Sequence, residues 1–305
     1  MTQRSKKTVG WYLVAFIDVL GQRQLLRQMH GIPEKTDQKE MSEFISLLKK
    51  TAGTVTGMRD LFHSYFEGSS KFKFNLSEFT PEQQNLLGQL KSNPLKSRMF
   101  SDSVILFLSL SDKINKAPIG GVYSAISSVA TTFLCMLAAG HAIRGGIDIG
   151  VGIELSDDEV YGAALSRAYH LENRVAQYPR IVLGDELMTY IYQKLSMSGD
   201  DFFTKANKVV ANLCVRLIAI DNDGLPFIDY LGQGFKQDIE KGSITDIIKK
   251  AYDFVYKESA RCQEIRDSKL AFRYTLLRNY FEARMHLWPI LGQIGETPRT
   301  DSPGI

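Results

Sequence analysis

The chain opens polar and basic, then turns apolar at Trp11 and stays so through WYLVAFI until it meets Asp18. An unbroken apolar run of this length predicts a buried strand over 11–19. Over 22–27, and again over 39–66, the pattern changes. Apolar residues recur at three- and four-residue steps in MSEFISLLKKTAGTV and MRDLFHSYF, which predicts helices. The stretch 68–93 is polar and variable, with one short helix marked by Thr80 as N-cap and Pro81 as first helical residue. Two apolar runs, 95–100 and 104–110, flank Ser-Asp-Ser and predict strands around a tight turn. A long apolar helix over 119–140 leads to a strand rich in Gly, Ile and Val over 143–153. Then come a helix over 163–177, a short strand over 180–183 and a helix over 185–194. This order predicts an α+β sandwich, a mixed and mainly antiparallel sheet with helices on one face.

Beyond residue 195 the character shifts. Strands are predicted over 209–218 and 226–231, then two long charged helices over 244–260 and 267–288, the pattern of a packed accessory region or dimer arm. The division expected is a catalytic domain over 10–190, a mixed and then helical C-terminal extension over 191–291, and a disordered Pro- and Gly-containing tail over 292–305.

Composition narrows the class. With 305 residues, 44% hydrophobic and 23% charged, the chain has an ordinary globular make-up and can bury a sizeable core. Its formal net charge of +3 gives no reason to favour nucleic acid or an anionic membrane, and its aromatic residues are not interleaved with a basic patch. Cys135, Cys214 and Cys262 are scattered, with no CxxC or Cys/His cluster, so a reduced cytoplasmic protein without zinc is expected. The basic-then-apolar start is not read as a signal peptide, because Asp18 interrupts it and no small-residue cleavage site follows. Residues 119–140 have the length of a membrane span. Ser124, Ser127, Ser128, Thr131 and Thr132 favour a buried soluble helix instead.

Two acids stand out. Asp18 ends the first apolar strand and Asp102 immediately precedes SVILFLSL. If those strands are neighbours, the carboxylates converge at one sheet edge, where a divalent cation would relieve their repulsion. Oxygen ligands of this kind suit Mg²⁺ or Mn²⁺. Spacing alone equally allows Ser-Asp-Ser to be a plain turn. Gly21 precedes a helix start at Gln22, which could hold a triphosphate or merely turn the chain. The glycines of RGGIDIGVGIEL (144–155) would let another backbone, or another protomer, come close. In the helix after Gly162, Ser166, His170 and Arg174 share a four-residue step, with Arg167 beside them, giving either a phosphate-binding or a solvated face. His30, His63, His141 and His286 have no metal-like spacing.

Taken in order, FIDVLG (16–21), MFSDSVILF (99–107), RGGIDIGVG (144–152) and YGAALSRAYHLE (161–172) resemble the class III nucleotide cyclase catalytic domain. They look most like the bacterial pyrimidine cyclases of the Pycsar antiphage systems. The resemblance covers roughly 10–190. It implies that Asp18 and Asp102 bind two divalent cations, Mn²⁺ or Mg²⁺, with the Val19 carbonyl completing the second site. It also implies that Phe16, Val19, Leu20 and Gly21 hold the ribose and triphosphate. Arg98 and Glu159 fall where purine cyclases contact the base. Ser166 and His170 stand where those enzymes carry a ribose-binding Asn and a transition-state Arg, so His170, or Arg167 or Arg174, would supply the cation. The implied reaction is two-metal cyclisation of a nucleoside triphosphate in a homodimer with shared sites. UTP is the expected substrate and cyclic UMP the messenger to a separate effector during phage infection. CTP, an altered purine cyclase and an inert nucleotide-binding dimer are the alternatives.

Overall fold

The computed structural model describes residues 8–34, 37–69, 80–81, 93–111, 118–156, 159–238 and 244–293. The expected helix at Thr80–Pro81 falls almost wholly outside them, and so does the expected tail beyond Gln293. Gly292 and Gln293 close a 3₁₀ turn, Pro289–Gln293.

The first apolar run is strand β1 (Thr8–Val19). It lies between β3 (Ser103–Ser109) and β4 (Ile143–Ser156), antiparallel to both. With β2 (Lys96–Phe100), β5 (Glu159–Gly162), β6 (Ile181–Leu183), β7 (Ile218–Ile220) and β8 (Pro226–Ile228) they form one eight-stranded sheet. Its order is β2-β3-β1-β4-β6-β8-β7, with β5 pairing β4 off that path. Among the described strands only β4 and β6 run parallel. This is the mixed, mainly antiparallel α+β architecture that the sequence pattern predicts.

Strand alternation sorts the two faces. Leu13, Ala15, Ile17 and Val19 of β1, Val104, Leu106 and Leu108 of β3, and Ile143, Ile147 and Ile149 of β4 enter the main core. Helices α3 (Thr54–Ser69) and α4 (Ile119–Ala138) contribute Met58, Phe62, Val122, Ile126 and Phe133 to the same core. Helix α4 is the one helix among the described residues long and apolar enough to cross a membrane, and most of its surface is buried inside this core.

Tyr12, Val14 and Phe16 point the other way, with Ile105 and Phe107, onto Ala164 and Ala168 of α5 (Ala163–His170). Helices therefore cover both faces, not one. The glycines of β4 explain how. A Cβ on Gly146 would lie 2.3 Å from Leu171 Cβ and 2.6 Å from the Ala168 carbonyl oxygen, and one on Gly150 would lie 3.0 Å from the Ala164 nitrogen. The close backbone approach expected of these glycines is made by the chain's own helix.

Three expectations change in detail, two of helices and one of a strand. The run over 39–66 is α2 (Gln38–Leu48), a π turn (Lys49–Gly53) and α3. Thr51 and Thr54 hydroxyls donate to the Leu47 and Lys50 carbonyls at 2.8 and 2.9 Å, which opens the helix locally. The run over 163–177 is α5 followed by a second π turn, Leu171–Val175, so Arg174 leaves the regular four-residue step. The strand expected over 209–218 is instead the end of a helix, since α6 (Asp185–Leu195) is followed by α7 (Phe202–Arg216). Its β-branched valines suggest a strand, but Ala206, Val210 and Cys214 recur at four-residue steps on a buried face. Asp201 caps its start through the Thr204 N–H.

After the short α8 (Gln233–Asp238), helices α9 (Ile244–Glu264) and α10 (Ser268–Glu282) add Ile248, Tyr252, Val255, Leu277 and Phe281 to the main core. The C-terminal region thus shares one sheet and one core with the rest.

Candidate active site

Asp18 sits one residue before the end of β1, on the α5 face of the sheet, because it continues the alternation Tyr12, Val14, Phe16. Its direct neighbours in register are Ser103 on β3 and Arg144 on β4. Asp102 is the second residue of the two-residue turn joining β2 to β3, where Ser101 holds a left-handed φ of 54°. Two hydrogen bonds fasten this corner. The Ser103 hydroxyl donates to Asp18 Oδ1 at 3.0 Å, and the Val19 N–H donates to the Asp102 carbonyl oxygen at 3.0 Å. The expected convergence of the two acids is present, and both are buried, at 8% and 7% exposure.

The electrostatics follow from this crowding. Burial pushes the Asp18 carboxyl up to about 7, and the negative charges of Asp102 and Glu172 push the same way. The Ser103 hydrogen bond and the Arg144 cation pull it back only in part. A cation between the two acids would relieve that strain. The donors present, two carboxylates beside the Val19 backbone, are hard oxygens that fit Mg²⁺ or Mn²⁺. Among the described residues no group of three or more His, Cys, Asp and Glu side chains is placed to hold a metal, so the candidate centre is a carboxylate pair. Two surface cavities among the described residues lie elsewhere, one against Tyr192 of α6 and one against Trp288 and Lys236.

Around this corner, Leu20 anchors the chain through its N–H to the Ala142 carbonyl at 2.9 Å, and Gly21 turns it with a φ of 85° that L-residues rarely adopt. Helix α1 (Gln22–Leu26) has five residues, too few for an anion site at its start. Phe16 packs edge-on against Tyr169, ring centres 5.2 Å apart.

The remaining sequence-predicted residues gather on the α5 side. Arg98 of β2 and Glu159 of β5 form an ion pair at 3.8 Å, half exposed. Two positions marked separately in the sequence are therefore partners. Ser166 and His170 are exposed on the side of α5 opposite Ala164 and Ala168, hence facing away from their own sheet. Arg167, itself exposed, donates to the Ile149 carbonyl at 3.0 Å and pairs with Glu186 at 3.5 Å. That makes it a poor substitute for the cation role. Arg174 is exposed in the π turn.

Two residues of the site escape sequence reading. Arg144 and the buried Glu172 form an ion pair directly beside Asp18, Arg144 Nε to Glu172 Oε1 at 3.0 Å. Each ends or begins a stretch already singled out, RGGIDIG and AYHLE, but only the β4 register and the π turn bring them together.

No family model matches the chain, and no curated protein matches it. Among solved structures, the adenylyl cyclase CyaB from P. aeruginosa is similar at a TM-score of 0.34 and 16% identity, over 62% of this chain and 83% of that one.

Proposed function

We propose that the chain is a nucleotide cyclase, joining the 3′ oxygen of a nucleoside triphosphate to its own α-phosphorus with release of pyrophosphate. One observation carries the reading. Asp18 and Asp102 are buried together at a sheet corner and locked by Ser103 and the Val19 N–H. A fold has no structural need for two adjacent buried carboxylates that raise each other's cost, and a phosphoryl-transfer site does.

Two divalent cations, Mn²⁺ or Mg²⁺, would be held by the Asp18 and Asp102 carboxylates with the Val19 carbonyl. When bound they supply Lewis-acid activation of the 3′-hydroxyl and neutralise the triphosphate. The chain's own part is positional. Ser103 fixes the Asp18 carboxylate, the two-residue turn fixes Asp102, and Leu20 and Gly21 steer the backbone past the phosphates. The Arg98–Glu159 pair is the base reader, presenting one donor and one acceptor group to the ring edge.

Ser166 and His170 supply the complementary half of the site. Their exposure on the face turned away from their own sheet supports a role toward a second copy. The reading is therefore a homodimer with two shared sites. In it His170 stands over the developing phosphate charge and Ser166 orients the ribose.

The substrate proposed is UTP and the product 3′,5′-cyclic UMP. The resemblance to antiphage pyrimidine cyclases favours this, with a separate cyclic-nucleotide-binding effector in the cytoplasm as the receiver. Incubation with Mn²⁺ and each of the four nucleoside triphosphates, with products identified by mass spectrometry, tests it. Cyclic UMP as the main product supports the reading; a cyclic purine or cyclic CMP overturns the base assignment; no cyclic product from any nucleotide overturns the enzyme.

A further inference from the structure

Arg144 is the residue directly opposite Asp18 in the β1–β4 ladder. Side chains directly opposite in an antiparallel pair stand about 5 Å apart at Cβ and lie on the same face. An Arg facing an Asp in that position ordinarily closes a cross-strand ion pair. Here it does not. Both the Nε and a terminal nitrogen of Arg144 donate to Glu172 Oε1, and among the described residues the side-chain hydrogen bond of Asp18 comes from Ser103.

Glu172 reaches that position by a specific construction. Gly146, two residues after Arg144 on the same face, lets the end of α5 sink onto the sheet; a Cβ there would stand 2.9 Å from the Glu172 nitrogen. The π turn then carries Glu172 under the helix, where it is 4% exposed. A buried carboxylate at this cost needs a partner, and Arg144 is that partner.

We propose that Glu172 is a positioning residue that draws the Arg144 guanidinium away from Asp18 and so leaves the Asp18 carboxylate open to a divalent cation. The proposal rests on the reading of Asp18 and Asp102 as a cation site. Without Glu172, Arg144 turns to its cross-strand neighbour and occupies the same oxygens as an internal competitor. Arg144 then acts as a plug, and Glu172 as the group that keeps the plug out.

The test is Mn²⁺ binding to the full-length protein without nucleotide, followed by loss of the free-ion paramagnetic resonance signal. Glu172→Gln is expected to weaken Mn²⁺ binding by about tenfold or more, the scale of losses when groups behind a ligand are removed. Adding Arg144→Met to it is expected to restore binding to near the wild-type value. A merely structural role for the ion pair predicts no such rescue, because the double variant lacks both partners. If Glu172→Gln does not melt cooperatively, Glu172→Asp is read instead. It keeps the charges balanced but moves the carboxylate back by one methylene, and a loss of about threefold or more is expected. Wild-type affinity in the single Glu172 variant that folds, or a loss the double variant does not reverse, overturns the proposal. Failure of the wild type to bind Mn²⁺, or binding unchanged in Asp18→Asn, overturns the cation site itself and the proposal with it. The Asp18→Asn arm therefore separates the two failures.

Discussion

Ser103 donates a 3.0 Å hydrogen bond to Asp18 Oδ1 from the position next to Asp102, so one side chain ties the end of β1 to the turn that carries the second acid. Ser103→Ala removes that tie and leaves both carboxylates in place. It is expected to lower Mn²⁺-dependent turnover by about tenfold, the equivalent of one hydrogen bond to a charged group, with little change in melting temperature. Steady-state kinetics beside a thermal melt would check this; full activity in Ser103→Ala would mean that Asp18 needs no such fixing.

The raised Asp18 carboxyl has a signed consequence for stability. Its ordinary value is 3.8 and its folded value about 7, so between those values the folded state holds more protons than the unfolded state. The Asp18 contribution to the stability of the metal-free protein is therefore full below about pH 4. It falls as pH rises through the window and levels off above about pH 7, with a total loss of about 4 kcal/mol. Asp18→Asn should flatten that slope and melt higher than wild type at about pH 8. Urea melts across pH decide it, and an identical pH slope in the variant would assign the effect elsewhere.

Much of this corner was legible in the sequence, and the reasons are local. Asp18 and Asp102 each abut an unbroken apolar run, so strand identity and the position of each acid follow from pattern alone. What was not legible depends on contacts distant in the chain. The valines of α7 argue for a strand until the cap at Asp201 and the tertiary burial of Ala206, Val210 and Cys214 are known. The glycines of β4 announce a close approach without saying by what. Arg144 and Glu172 look like unrelated charges until the register and the π turn join them.

The glycine contact gives a stability prediction. Gly146→Ala would place a methyl 2.6 Å from the backbone oxygen of Ala168, which cannot move without lifting α5 off the sheet. A loss of about 2–3 kcal/mol is expected, or a melting temperature lower by about 5 °C or more. Gly21→Ala meets nothing within 4 Å and pays only for its left-handed φ, so it should cost about 1 kcal/mol. Equal costs for the two in parallel calorimetry would contradict the packing argument.

The Arg98–Glu159 pair predicts a change in selectivity more than in rate. Glu159→Ala leaves Arg98 without that partner and should shift the ratio of cyclic products from the four nucleotides. Competition assays with equimolar triphosphates read the ratio directly. An unchanged ratio would remove the pair from base recognition.

Shared sites predict complementation. Asp102→Ala lacks the cation half and His170→Ala the outward-facing half. Each alone should be inactive or nearly so, and mixing them should recover a fraction of wild-type turnover, because a mixed dimer keeps one complete site. Absence of recovery in a mixture shown to exchange subunits would place both halves in a single chain.

The Asp18–Asp102 corner is proposed to perform cyclisation. The most direct measurement is the formation of a 3′,5′-cyclic nucleotide and pyrophosphate from a nucleoside triphosphate with Mn²⁺, by wild type, Asp18→Ala and Asp102→Ala side by side. Cyclic product and pyrophosphate in equal amounts are expected from the wild type, with a loss of about a thousandfold or more in each variant. A wild type that forms no cyclic nucleotide, or either variant turning over at a near-normal rate, would contradict it.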